Sequence, residues 1–370
     1  MNLQSYSRIL EQHIARYPEM ELTDAFKLVF QSEFGAGHLI SDKEKALEYL
    51  KQEWEGACPP FASEKDKPMA EDIGGGFIRL NFRQAKNENI PLAIVNQLFM
   101  SSAEKPCGSL GGFKERLQAL ERLVWEKKTP FSMEAFGEMR KNYMSLGRIE
   151  PFGHTEKYRA NYSPSYRLIT SCYAKALPIA SKIHKLLEGS AKRPLIAALD
   201  GRTMAGKSTL ADLFCRIFPK TCIIEMNDFF LPTSLRTIKR LAEHGGNIHY
   251  ERFAEEVLKG LESNTPFSYQ VFDSDRGFFG RRKEINPKAW DLIIVEGCYS
   301  LRPEFRPSYD IKVFCDVPAS LQSERLRRNC GEKMIDKYTV SRLPMEENYI
   351  TYCEVAESAD FVYCCPKIAF

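Results

Sequence analysis

No apolar run in the 370 residues approaches the roughly 20 that span a bilayer, so no transmembrane helix is expected. The opening stretch, Met1 to Tyr17, lacks a basic segment leading into a continuous apolar one and a small-residue cleavage site. It does not read as a secretory leader, and a cytoplasmic location follows. Neither sign of charge dominates: 52 lysines and arginines face 49 aspartates and glutamates, and both halves are close to balance. That excludes a basic arm for nucleic acid. None of the 11 cysteines forms a Cys-x-x-Cys pair, and only Cys364 and Cys365 are adjacent. A structural zinc site is therefore not expected, and the thiols should be reduced and mostly buried. Internal repeats and low-complexity segments are also missing. What remains is a globular composition, 44% hydrophobic and 27% charged, in a chain long enough for two or three domains of about 150 residues.

The small and charged stretch Leu187 to Pro194 separates two patterns, dividing the chain into residues 1–190 and 191–370. Before it, helices dominate. Ser41 and Glu44 have capping-box spacing ahead of Ala46, Leu47 and Leu50, and Pro91 opens a helix over Leu92 to Phe99. The alternation from Gly76 to Phe82 after three glycines predicts one half-buried strand. A mostly helical α+β domain results. Three of its features combine chemistry-bearing residues: Phe34 to His38, Asp72 to Gly76, and His154 to Arg159 leading to Tyr162 and Tyr166. Two readings stay open for them. They form an acid-base or anion site, or they are a capped helix end, a plain turn and a satisfied structural histidine.

After residue 190 the chain alternates short aliphatic runs with amphipathic stretches. Strands are expected at Leu195 to Leu199, Cys222 to Glu225, Leu292 to Val295, Ile311 to Phe314 and Phe361 to Tyr363. Helices are expected around Lys207 to Phe218, Glu251 to Leu261 and Leu321 to Arg328. Runs of this kind suit a parallel sheet buried on both faces, so this half is predicted to be a doubly wound α/β domain.

Directly after the first of these strands, Asp200 to Thr209 match the Gly-x4-Gly-Lys-Ser/Thr phosphate loop, with Gly201, Ala205, Gly206, Lys207, Ser208 and Thr209 expected at a nucleotide. The glycines let successive N–H groups turn inward, and the following helix adds its positive end. Lys207 is placed to reach the β and γ phosphates, and Ser208 to give its hydroxyl to Mg²⁺. ATP and Mg²⁺ are thus the expected cofactors. A second strand runs into Val295-Glu296-Gly297, putting the Glu296 carboxylate at the carboxyl edge of the sheet near the metal. A third ends in Asn227-Asp228-Phe229, bringing another carboxylate to the same edge.

These segments, taken in order, resemble the phosphoribulokinase and uridine kinase group of P-loop small-molecule kinases over residues 194–366. DGRTMAGKST is similar to that group's phosphate loop, IIEMNDFFLP to its Asp-Asp-Phe segment, and FSYQVFDSDRG to its substrate strand. IIVEGCYS is similar to the acidic strand, and SERLRRNCGE with LPMEENYI to the lid and the helix behind it. The resemblance implies Mg-ATP-dependent transfer of a phosphoryl group to a small-molecule hydroxyl, most simply that of a nucleoside, without nucleic-acid or membrane partners. It implies Lys207 on phosphate, Ser208 and Glu296 around Mg²⁺, Arg325 and Arg328 balancing the transferring phosphoryl, and a carboxylate taking the acceptor proton.

Two positions depart from the group. Asn227 stands where the first aspartate of Asp-Asp-Phe acts as base, and an amide cannot accept that proton as a carboxylate does. Either Asp228 serves after a small backbone shift, or substrate and Mg²⁺ are held without an efficient base. His249 stands where relatives offer an aspartate to sugar hydroxyls. On the strand Phe267 to Asp273, strict alternation sends Ser268, Gln270 and Phe272 to one face and Tyr269, Val271 and Asp273 to the other, so Tyr269, Phe272 and Asp273 join Asn227 and His249 as candidate acceptor contacts. A non-nucleoside alcohol, or an ATP-binding regulatory unit serving an active first domain, remain the alternatives.

Overall fold

The computed structural model describes residues 3–36, 43–57, 68–104, 108–145, 150–190, 194–273, 276–331, 335–336 and 338–364. His38 and Ser41 lie outside them. The chain divides into two compact units, which part between residues 174 and 175.

The first unit contains helices α1 (Leu3–Arg16), α2 (Leu22–Phe34) and α3 (Lys43–Gly56), strands β1 (Ala70–Gly74) and β2 (Phe77–Asn81), and helices α4 (Phe82–Asn87), α5 (Leu92–Ala103), α6 (Leu110–Trp125), α7 (Met133–Ser145) and α8 (Glu156–Tyr162). Strand β3 (Tyr166–Thr170) completes an antiparallel sheet of order β1-β2-β3. Helix α9 (Ser171–Gly189) begins here, and the composition change near residue 190 falls at its end. Helix α6 packs on α1 and α2, with an aromatic core that includes Phe26 against Phe136 at 5.5 Å and Tyr143 stacked on Phe152 at 4.6 Å. Gly74, Gly75 and Gly76 make the β1–β2 turn, all at positive φ. A Cβ on Gly75 would overlap the Ser32 carbonyl oxygen, so the turn is pressed against α2.

The alternation of β2 suggested a half-buried strand, yet Phe77, Ile78, Arg79 and Leu80 are all buried. Its central place between β1 and β3, under α2, explains the difference, because even the outward-reading arginine is taken in. Arg79 donates from Nε and Nη2 to Gln31 Oε1 at 3.1 and 2.7 Å, and its guanidinium lies 4.7 Å over the Tyr166 ring. The Tyr166 hydroxyl is 2.7 Å from His154 Nε2, and His154 Nδ1 is 2.8 Å from Asp24 Oδ1. Asp24 has no exposure. It also accepts the Thr155 N–H and hydroxyl, and the Glu21 N–H that closes the first turn of α2. Burial pulls His154 down to about 4, against the opposing pull of Asp24. The ring is therefore neutral at pH 7, with Nδ1–H donating to Asp24 and Nε2 accepting from Tyr166.

The second unit is built on a five-stranded parallel sheet of order β10-β9-β4-β8-β5, from β4 (Leu195–Gly201), β5 (Thr221–Glu225), β8 (Leu292–Glu296), β9 (Ile311–Asp316) and β10 (Phe361–Cys364). All five expected strands are present, and the unit has the expected α/β architecture on a parallel sheet. Strand β4 is central and buried at every residue, as a strand covered on both faces must be. Helix α10 (Lys207–Ile217) follows β4, α11 (Ile238–Leu241) is short, and a helical run forms α12 (Tyr250–Phe253) and α13 (Lys259–Ser263) around a π turn. After β9 come α14 (Ala319–Cys330) and α15 (Leu343–Tyr352).

Strands β6 (Phe267–Asp273) and β7 (Phe278–Ile285) make a separate antiparallel hairpin. A register shift between Gln270 and Phe272 breaks the strict alternation, so Tyr269 and Phe272, expected on opposite faces, are both buried. Reduced thiols were expected throughout, but Cys172 takes part in a disulfide. Among the described residues, no helix is long and apolar enough to cross a membrane.

With His154 lowered from 6.5 to about 4, the unfolded chain binds more protons than the folded one between those values. The first unit's stability is then full above about pH 6.5 and falls by roughly 3 kcal/mol as pH drops toward 4. Asp24, held below its usual range, adds a further loss below that window. Denaturant unfolding across pH 4 to 7 should show this slope, and His154→Gln should flatten it; an equally steep slope in the variant would place its origin elsewhere.

Candidate active site

The centre of the second unit is the turn from β4 into α10. Gly201, at φ 130, lies so close to β9 that a Cβ would overlap the Cys315 carbonyl oxygen. Met204 and Gly206 also have positive φ, at 63 and 91. The loop therefore coils tightly, Ala205 is sealed beneath it, and the first N–H groups of α10 open into a cleft with about 360 Å³ of free space. Gly206, Lys207, Ser208 and Thr209 line that cleft, together with Asn227, Glu296, Arg325 and Glu346. The expected phosphate-loop residues thus converge, with Gly201 and Ala205 shaping the loop from behind.

Lys207 folds back on its own loop, donating from Nζ to the Gly201 and Arg202 carbonyls at 2.8 and 2.9 Å and to Cys298 Sγ at 3.4 Å. Burial opposes its charge, but Cys298 and Glu346 among its neighbours outweigh that and hold the ammonium above its ordinary value. Ser208 Oγ donates to Glu296 Oε1 at 3.1 Å. Glu296 ends β8, is 6% exposed, and is pushed up by burial while Lys207 pulls it down. A hydroxyl and a carboxylate side by side are a hard oxygen donor pair, the chemistry that a small divalent cation such as Mg²⁺ takes.

Two carboxylates that sequence reasoning passed over organise this cleft. Asp200 accepts the N–H groups of Gly201, Tyr299 and Leu301 and the Tyr349 hydroxyl at 2.6, 3.0, 2.7 and 2.7 Å. Its signal was visible as an acid inside an otherwise apolar strand. Glu346 on α15 accepts the Thr203 N–H and hydroxyl, each at 2.6 Å, and the Cys298 thiol at 3.1 Å. Nothing in LPMEENYI distinguishes it from its exposed neighbour Glu347.

Of the two arginines expected from the lid, Arg325 is 3% exposed and donates to the Met204 carbonyl at 2.8 Å. Burial holds its guanidinium below the ordinary value. Arg328 is exposed and is not among the residues lining the cleft, whereas Arg342 is. Of the candidate acceptor contacts, Asn227 lines the cleft. Asp228 does not: it is 5% exposed and accepts from Lys283 Nζ at 2.8 Å and the Tyr269 hydroxyl at 3.2 Å. Tyr269 is a core ring 5.0 Å from Phe229, and Phe272 packs edge-on to Phe279. His249 Nδ1 lies 3.2 Å from Glu251 Oε2, and Asp273 accepts the Arg276 N–H.

No family model matches the chain. It is 29% identical over 174 residues to a uridine kinase of Clostridium botulinum, covering 43% of this chain and 83% of that one. With a uridine kinase of Clostridium novyi it shares 30% identity over 173 residues, 43% of this chain and 82% of the relative. The chain belongs to the uridine kinase family. A solved structure described as a possible uridine kinase from Bacillus stearothermophilus aligns with a TM-score of 0.39 at 18% identity, over 50% of this chain and 99% of that chain. Homology to the uridine kinase family makes the protein a P-loop small-molecule kinase over the matched part.

In this uridine kinase-family chain the Asp228–Lys283 pair is mostly buried, with side chains 8% and 23% exposed. Removing either partner strands the other charge, at a cost of about 3 kcal/mol. Asp228→Asn and Lys283→Met should each lower the denaturation midpoint, and the double variant should lose clearly less than their sum. Additive losses would show that the pair is not coupled.

Proposed function

We propose that the second unit transfers the terminal phosphoryl group of Mg-ATP to a hydroxyl of a nucleoside. The observation that carries this reading is the convergence of Lys207, Ser208 and Glu296 at the mouth of a strand–loop–helix turn that opens into one cleft. In this reading the loop N–H groups and Lys207 hold the phosphates. Ser208 and Glu296 would hold Mg²⁺, which would supply neutralisation of the phosphate charge. Arg325 acts on the transferring group, with Arg342, which also lines the cleft, as a second cation; Arg328, outside the lining, draws no comparable support. Such transfer is mostly positioning and electrostatics, which fixed cations at a cleft edge supply.

The acceptor's O–H bond must break as the new O–P bond forms. Asp228 is the carboxylate proposed to take that proton, and to do so it must leave Lys283 and Tyr269. Asn227, already in the cleft, orients the acceptor hydroxyl as an amide can, by accepting and donating hydrogen bonds. The roles proposed for His249, Tyr269, Phe272 and Asp273 draw no comparable support from the cleft lining. A second reading, an ATP-binding regulatory unit, is favoured by the same observation about Asn227 and Asp228.

Incubation with Mg-ATP and a panel of nucleosides and small metabolite alcohols, followed by mass spectrometry, should reveal a phosphorylated product. That product should vanish in Lys207→Ala. Tight ATP binding with no product from any acceptor would favour the regulatory reading. Asn227→Asp puts a carboxylate in the cleft and should raise kcat about tenfold or more, within the range of general-base effects. A rate that falls instead would mean that the amide itself is needed.

A further inference from the structure

The first unit contains a buried guanidinium that its own fold hydrogen-bonds only in part. Arg79 lies in β2 and is 3% exposed. Two of its nitrogens share one amide oxygen, Gln31 Oε1, and its face rests on Tyr166. Among the described residues, no carboxylate lies within ion-pair distance and Nη1 has no hydrogen-bond partner. Leaving a buried guanidinium nitrogen without a hydrogen-bond partner is costly, and the guanidinium fork matches carboxylate or phosphate better than any neutral group.

Arg79 borders a cavity with about 40 Å³ of free space, walled by Tyr17, Tyr158, Tyr162, Glu71 and Ser165. Ser165 Oγ is buried and also has no hydrogen-bond partner. Two unpartnered polar groups thus border one small space. Glu71 attracts Arg79 across space, but the hydrogen bonds it accepts come from elsewhere, from Arg16 Nη1 at 2.8 Å and from the Tyr17 hydroxyl at 3.1 and 3.2 Å. Arg83 adds a second guanidinium to the wall. The space is far smaller than the cleft of the second unit, so only a small head group enters it.

We propose that the first unit binds a small oxyanion, a carboxylate or a phosphate ester, at Arg79 Nη1 and Ser165 Oγ. The chain Asp24–His154–Tyr166 is a positioning device: it fixes the phenol that supports one face of the guanidinium and leaves Nη1 for the ligand. Its histidine was one of the features for which the sequence left an anion site and a structural role both open.

The test uses the full chain carrying Lys207→Ala, which weakens phosphate binding at the loop of the second unit. Calorimetric titration with sodium benzoate, and separately with inorganic phosphate, should give saturable one-to-one binding of at least one of them. Tighter benzoate assigns a carboxylate ligand, and tighter phosphate a phosphate ester; both support the site. Adding Arg79→Gln should weaken binding at least tenfold, the scale of one charge-assisted hydrogen bond. Ser165→Ala should weaken it about threefold, on the scale of one neutral hydrogen bond. Ser165 Oγ makes no hydrogen bond, so this variant keeps the test available should Arg79→Gln fail to fold. No saturable binding of either anion, or binding that no folded variant weakens, overturns the proposal and leaves Arg79 as a structural cation.

Discussion

A carboxylate with no exposure to solvent, Asp200, holds together the segments that make the cleft. It sits one residue from the end of the central strand, where an apolar side chain would pack more cheaply. Burial pushes its pKa up, and the hydrogen bonds around it pull the other way: four donors surround it, the Gly201, Tyr299 and Leu301 N–H groups and the Tyr349 hydroxyl. Those donors come from three separate parts of the chain, the start of the phosphate loop, the turn after β8, and α15. Tyr299 adopts φ 75, a left-handed conformation uncommon for a residue with a side chain. Its N–H bond to Asp200 helps to hold that conformation, and the same turn carries Glu296 and Cys298 into the cleft.

A second layer of the same logic lies above the first. Glu346 fixes Thr203 at the loop tip, while Arg202 reaches Asp316 at 2.5 Å and Glu347 at 2.5 and 3.0 Å. Gln322 donates to the Thr203 carbonyl and Arg325 to the Met204 carbonyl. The outward peptide groups of the loop are thus occupied by side chains from α14 and α15, which leaves the inward N–H groups for a ligand. The proposed phosphate site depends on satisfying the back of the loop as much as on the lysine in front.

The parts legible in sequence were those carried by short-range pattern. Parallel strands announce themselves as aliphatic runs, and the phosphate loop has a spacing fixed by backbone geometry, so β4, β8 and Lys207 to Thr209 fall where expected. Features set by tertiary context were not legible. The chain leaves β5 through a 3-10 turn at Met226–Phe229, and that turn sends the Asn227 side chain to the cleft and Asp228 to Lys283. A bulge in β6 defeats strict alternation, and the central place of β2 buries an arginine that alternation would expose. Arg325 and Arg328 are both basic and three apart, yet only the packing of α14 on the loop buries one and leaves the other exposed. Glu346 and Glu347 pose the same problem one residue apart.

The exchange of carboxylate for amide at Asn227 changes the charge of the cleft as well as its proton chemistry. Lys207, Arg325 and Arg342 line it against Glu296 and Glu346, and Glu346 is already committed to Thr203 and Cys298. A further carboxylate at position 227 would add repulsion toward phosphate oxygens in a space where burial magnifies such terms. An amide avoids that repulsion and still hydrogen-bonds a hydroxyl. For the proposed transfer, the arrangement thus favours holding polyphosphate over removing a proton. The proposed base, Asp228, is paired with Lys283, so proton removal in that reading is tied to breaking this pair.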